Sequence, residues 1–253
     1  MEVKDLTWTT KKETVINGIG FSLKPGEILA VLGPDGAGKT TLLKILAGII
    51  DPTSGHIYLR GFNIRENPTK YKQLLGYVPE QPNIFPHLNA IEYLQLVGRL
   101  YMIDEDRLEE KIHELLEHFR FGDKMVFPAS TYSRGTLQKL MICAALIHNP
   151  DLVLIDEPLT GLDIASALIL KALLEKLADS GKQILCATRT LEVAEQICTR
   201  ALILNKGILV SSNPVKDLRN LMDLPLLESI LKEMVGEQDI EDSAQTLFTT
   251  IDT

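Results

Sequence analysis

A chain of 253 residues, 45% hydrophobic and 24% charged, is long enough to bury one large core and has the balance of a soluble globular protein. Its net charge of −8 argues against a bare nucleic-acid binder, which carries a basic footprint. No run approaches the roughly eighteen apolar residues of a membrane span, and Met1–Asp5 leads into polar, Thr-rich sequence where a secretory leader has an apolar core. The isolated Cys143, Cys186 and Cys198 read as buried thiols of a reducing compartment, so the expected location is cytosolic, with any membrane contact made through a partner.

Val3–Trp8 and Thr14–Ile19 read as strands, followed by a turn at Lys24-Pro25-Gly26. Ile28–Leu32 is a short, wholly apolar stretch that predicts a buried strand. Directly behind it stands Gly33-Pro34-Asp35-Gly36-Ala37-Gly38-Lys39-Thr40-Thr41, and then Leu42, Leu43, Ile45 and Leu46 at helical spacing, with Gly48 placed to end the helix. Strand, glycine-rich loop and helix in this order make a phosphate-binding loop. Successive backbone N–H groups cradle an anion, and the helix N-terminus adds about half a positive charge. Lys39 can reach the β- and γ-phosphates, and the Thr40 hydroxyl can hold Mg²⁺.

After a turn at Pro52-Thr53-Ser54-Gly55, Ile57–Leu59 is a further strand. From about 88 to 147 the texture is helical: Ile91, Leu94, Leu96 and Val97, then Leu108, Ile112, Leu115, Leu116 and Phe119, with charges opposite. Leu152–Ile155 is a compact strand that ends in Asp156-Glu157-Pro158. An aspartate there lies beside the phosphate loop and can hold Mg²⁺, and Glu157 is placed to polarise an attacking water. Residues 164–179 predict an amphipathic helix carrying Leu168, Leu170, Leu173, Leu174 and Leu177. Gln183–Ala187, Ala201–Leu204 and Ile208–Val210 read as strands and Leu191–Cys198 as a helix. Alternating strand and helix in this half implies a mostly parallel sheet with helical cover. A C-terminal helix is expected over 221–235 (Pro225, Leu226, Leu227, Ile230 and Leu231), and residues 236–253 form an acidic, disordered tail.

Ser133-Arg134-Gly135-Thr136-Leu137-Gln138-Lys139-Leu140 opens a helix about a dozen residues before the Asp156 strand. By itself it is a serine N-cap. In that position it resembles the signature motif of ABC ATPases. Leu159-Thr160-Gly161-Leu162-Asp163 resembles the family's D-loop, and Gly76-Tyr77-Val78-Pro79-Glu80-Gln81 its Q-loop region. The stretch from Pro86 to Tyr101 resembles the helical subdomain of ATP-binding subunits that serve ABC-2-type exporters. The resemblance covers roughly residues 1–235, in motif order. It implies an α/β fold of the ABC type, a phosphate-loop NTPase with a mixed sheet core and an antiparallel β region. The nucleotide-binding domain would span 1–220, with an α-helical subdomain inserted at about 86–147. It also implies a head-to-tail dimer, homo- or heteromeric, in which Ser133, Gly135 and Asp163 of one subunit complete the ATP site of the other. Closing and opening that dimer would drive transmembrane permease subunits from the cytoplasmic face of the membrane.

Four positions depart from the family pattern. The switch histidine aligns with Arg189, which binds phosphate as a fork but cannot shuttle a proton. The Q-loop glutamine aligns with Glu80, with Gln81 one residue late. A carboxylate can ligand Mg²⁺, yet two unit charges about 4 Å apart at an effective dielectric of 20 interact by roughly 4 kcal/mol, so Glu80 also repels a γ-phosphate. The last signature residue is Thr136. The adenine-stacking aromatic aligns with Thr10, and Trp8, two residues earlier, either stacks in its place or belongs to the core. Glu157, Arg189 and Glu80 are thus the catalytic candidates, Thr40, Asp156 and Glu80 the metal ligands, and slow ATP turnover the expectation. Two alternatives stay open: a soluble ABC ATPase outside transport, and a degenerate partner that binds ATP and regulates an active sister subunit.

Overall fold

The structure is a computed structural model that describes residues 1–218; the expected helix over 221–235 and the acidic tail lie outside the described residues. Its centre is a six-stranded sheet. The strands are β3 (Ile28–Leu32), β6 (Leu75–Val78), β7 (Leu152–Asp156), β8 (Gln183–Thr188), β9 (Arg200–Asn205) and β10 (Ile208–Pro214), in the order β10-β9-β3-β8-β7-β6. All pairs are parallel except β10 with β9. Every residue of β3, β7 and β8 is buried, which is why these strands read as unbroken apolar runs and not as alternation. A second, antiparallel sheet has the order β2-β1-β4-β5, from β1 (Glu2–Thr9), β2 (Thr14–Ser22), β4 (Ser54–Leu59) and β5 (Phe62–Asn63).

Helix α1 (Lys39–Leu46) lies between the two sheets, where Leu42, Leu43 and Leu46 pack with Leu6, Ile57 and Tyr71. It stops where Gly48 takes a left-handed φ of 66° and donates to the Ile45 carbonyl at 3.0 Å. The Tyr71 hydroxyl donates to the Leu46 carbonyl at 2.7 Å and anchors the short helix α2 (Pro68–Gln73) against that end.

Between the neighbouring strands β6 and β7 the chain makes an excursion through α3 (Ala90–Leu100), α4 (Glu105–His118) and α5 (Arg134–Leu146). Helix α3 starts with a capping box, Asn89 and Glu92 each bonding the other's backbone N–H, and Asp104 and Ser133 cap α4 and α5. Helices α6 (Ile164–Asp179) and α7 (Leu191–Ile197) cover the sheet beside them, in a second core that includes Leu170, Leu174 and Ala194.

Two sequence expectations shift. Leu168, assigned to the apolar face of α6, is 63% exposed, whereas Leu170 and Leu174 are fully buried. Leu168 shares its stripe of the helix with Lys171, Glu175 and Asp179, so the helical period itself marks that side as the outer one. Leu96 likewise points outward from α3. The elements α2, β5 and β6 carry no clear pattern: β5 has two residues, and β6 is short and interrupted by Gly76.

Candidate nucleotide site

The parallel strands β3, β7 and β8 end at one edge of the sheet, and the loops after them meet there, where open α/β sheets bind ligands. The loop between β3 and α1 is closed by Lys39, whose Nζ donates to the carbonyls of Gly33 (2.7 Å) and Pro34 (2.9 Å). Gly38 holds a φ of 104°, which side chains rarely adopt, and a Cβ there would crowd the Val15 carbonyl of β2 at 3.1 Å.

A cavity of about 460 Å³ opens over this loop. It is lined by Asp35, Gly36, Ala37, Gly38, Lys39, Thr40 and Thr41, by Glu80, Asp156, Glu157 and Arg189, and at its far end by Trp8, Glu13 and Val15. Glu80, and not Gln81, faces it; both residues line a neighbouring groove together with Asn83 and Tyr77. Thr10 is occupied in the β1–β2 turn, its Oγ1 accepting the Lys12 and Glu13 N–H groups, and Trp8 is the aromatic on the cavity wall. Gly33 and Pro34 lie behind the loop and contribute through their carbonyls to Lys39.

Five carboxylates, Glu13, Asp35, Glu80, Asp156 and Glu157, face this space against two cations, Lys39 and Arg189. Burial lowers the Lys39 pKa, and Glu157, Asp35 and Asp156 oppose that shift. Asp156 is 1% exposed, and burial pushes its carboxyl up to about 6; a Thr40 hydrogen bond resists the shift, while Glu80 and Glu157 add to it. One of its oxygens, Oδ2, is buried without a hydrogen-bond partner.

These features fit a divalent cation, with Asp156 and Thr40 beside each other and an unsatisfied anionic oxygen between them and the cavity. No group of three or more His, Cys, Asp or Glu among the described residues is arranged to hold a metal. A cation here therefore needs phosphate oxygens as well, the usual situation for Mg²⁺.

Glu157 sits just past β7 with a φ of 52°. Its carboxylate accepts from the Thr188 hydroxyl (Oε2, 3.0 Å) and from the Arg189 N–H (Oε1, 3.0 Å), both at the end of β8. Sequence reading missed Thr188, Glu13 and Val15. Thr188 was findable as the residue that ends a parallel strand next to the Asp156 strand.

Ser133, Gly135 and Asp163 do not line the cavity of their own chain. Ser133 Oγ accepts the Thr136 N–H at 3.2 Å and meets its hydroxyl at 2.9 Å. Gly135 lies so close to Gly161 that a Cβ would stand 2.2 Å from its carbonyl oxygen. Asp163 caps α6, and the hydrogen bonds from Ser166 hold its carboxyl below the usual range.

A phosphate loop on β3, an aspartate ending β7 and a serine-capped helix start outside the cavity define a nucleotide-binding cassette. The family model described as "ABC transporter" matches residues 16–160, and the chain belongs to that family. It is 33% identical over 222 residues to the ABC-type transporter ATP-binding protein EcsA of Bacillus subtilis, covering 87% of this chain and 89% of that one. It is 30% identical over 259 residues to the Nod factor export ATP-binding protein I of Ralstonia nicotianae, covering 98% and 80%. Among solved structures it resembles the dimer of the ATP-binding cassette MJ0796 in a post-hydrolysis state bound to ADP and Pi, with a TM-score of 0.78 and 26% identity over 85% of this chain and 98% of that one.

Proposed function

We propose that this chain is the ATP-hydrolysing subunit of a membrane exporter, pairing around two nucleotides to drive permease subunits from the cytoplasmic face. The observation that carries it is the convergence of Lys39, Glu157 and the unpartnered Asp156 Oδ2 on one phosphate-sized space. In this reading the loop N–H groups and Lys39 bind the phosphates, and Asp156, Thr40 and Glu80 hold Mg²⁺. The metal supplies neutralisation of phosphate charge. Glu157, fixed by Thr188 and the Arg189 N–H, orients the attacking water. Trp8 stacks on the base.

Ser133 and Gly135 do not line the cavity of their own chain, which supports their use on a second subunit's nucleotide. The name of the Nod factor relative supports export. No helix among the described residues is long and apolar enough to cross a membrane, in keeping with attachment through a partner. Arg189 in place of a histidine and Glu80 in place of a glutamine support slow turnover by the isolated chain.

The test is the oligomeric state of Glu157→Gln with and without ATP-Mg, beside phosphate release by the wild type. A nucleotide-dependent dimer and a wild-type rate abolished by the substitution are expected. A strictly monomeric Glu157→Gln protein, alone and with related subunits, sinks the proposal.

A further inference from the structure

We propose that Glu13 reads the edge of the stacked base and gives the site a preference for guanine over adenine nucleotides. This rests on the nucleotide reading above and narrows its substrate class. The phosphate loop forms one end of the cavity, and Trp8, Glu13 and Val15 form the other. Trp8 offers a ring face, on which every base stacks, so it does not choose between bases. Val15 is apolar. Of these three side chains, only the Glu13 carboxylate accepts hydrogen bonds.

Backbone bonds fix where Glu13 stands. Thr10 Oγ1 accepts the Glu13 N–H at 3.0 Å and donates to the Glu13 carbonyl at 3.0 Å, and the Thr10 N–H donates to the same carbonyl at 2.8 Å. Two residues on, the Val15 carbonyl packs against Gly38 of the phosphate loop. The span from Glu13 to the phosphate end is therefore set by packed backbone. No hydrogen bond or ion pair within the described residues engages the Glu13 carboxylate, so both its oxygens are available to a ligand. An ionised carboxylate only accepts. Guanine presents N1–H and a 2-amino group side by side, two donors that match the two oxygens. Adenine carries a lone pair at N1 and donates only from its 6-amino group. Guanine thus makes two charge-assisted bonds where adenine makes one, beside a lone pair that repels the carboxylate.

The experiment measures the Kd of the full chain for GTP, ITP and ATP with Mg²⁺ by equilibrium dialysis, in a Glu157→Gln background that prevents turnover. ITP keeps N1–H and lacks the 2-amino group. GTP should bind at least about fivefold more tightly than ATP, the worth of one added hydrogen bond, with ITP between them. Glu13→Ala should bring the three within about twofold of one another, chiefly by weakening GTP, and 2′-deoxy-GTP should follow GTP throughout. A GTP-to-ATP ratio that survives Glu13→Ala overturns the proposal. So does a Glu13→Ala protein that weakens GTP and ATP alike and spares their 2′-deoxy forms, which would assign Glu13 to the ribose. A parent that binds ATP and GTP equally overturns the base preference alone; a parent that binds no nucleotide overturns the reading beneath it.

Discussion

The Thr188 hydroxyl and the Glu157 carboxylate are joined at 3.0 Å across the ends of two neighbouring parallel strands. Thr188 is fully buried, so this bond fixes Glu157 from the protein side and leaves its other face to the cavity. Thr188→Val keeps the volume and removes the donor. Turnover should fall about tenfold with ATP affinity changed less than about threefold, whereas Glu157→Gln should cost about a hundredfold or more. Steady-state phosphate release and nucleotide binding, measured on both variants, check the contrast.

Asp156 makes a pH-dependent contribution of a defined sign. Its carboxyl titrates near 3.8 in the unfolded chain and at about 6 in the fold. Between those values the native state holds a proton that the unfolded state has released, so stability falls as pH rises and the full cost persists above about 6. The size is about 1–3 kcal/mol. Asp156→Asn should therefore raise the melting temperature of nucleotide-free protein at pH 8 by a few degrees and much less at pH 4. In the same protein, Mg²⁺-dependent ATP affinity should be lost. Thermal unfolding at the two pH values with chelator present, and nucleotide binding with Mg²⁺, test the two halves.

Trp8 is the chain's single tryptophan and lines the cavity, so its fluorescence reports on the site directly. ATP should quench it, and inorganic phosphate should not. Trp8→Ala should weaken ATP binding at least about fivefold, the equivalent of ~1 kcal/mol of stacking. A nucleotide titration that leaves the emission untouched, with affinity retained in Trp8→Ala, assigns Trp8 to the sheet alone.

Gly135→Ala adds a methyl group 2.2 Å from the Gly161 carbonyl oxygen. Alanine is the better helix former, by about 1 kcal/mol, but a backbone carbonyl cannot swing aside as a side chain would. Net destabilisation of about 1–2 kcal/mol is expected, read as a fall in melting temperature. An unchanged midpoint would show that the loop carrying Gly161 yields freely.

The sequence made the phosphate loop, the Asp156-Glu157 strand end and the parallel half of the sheet legible, because each depends on local order: an apolar run, then turn or charge. What it hid depends on distance. Lys39 bonds carbonyls five and six residues back. Asp35 meets Arg189 across 154 positions, which no local pattern encodes. Leu168 is different: it shares a stripe of α6 with Lys171, Glu175 and Asp179, so its outward position is legible, while the inner face packs on α7, β8 and β3. Glu80 and Gln81 share a neighbouring groove, yet of the two only Glu80 also reaches the cavity over the phosphate loop, a difference set by how the chain turns after β6.

Strands β6 and β7 lie side by side, with Val78 opposite Ile155, while some seventy residues, including α3, α4 and α5, separate them in sequence. Because the two strands are parallel, the excursion leaves from the edge where Val78 ends and returns at the opposite edge, at Leu152, so β7 crosses the sheet again before it presents Asp156. Glu80 stands two residues beyond the outgoing strand and Asp156 closes the returning one. Glu80 thus belongs to the segment that leads into the helices while Asp156 is fixed inside the sheet, and a displacement of that segment would move one wall of the cavity and leave the other in place.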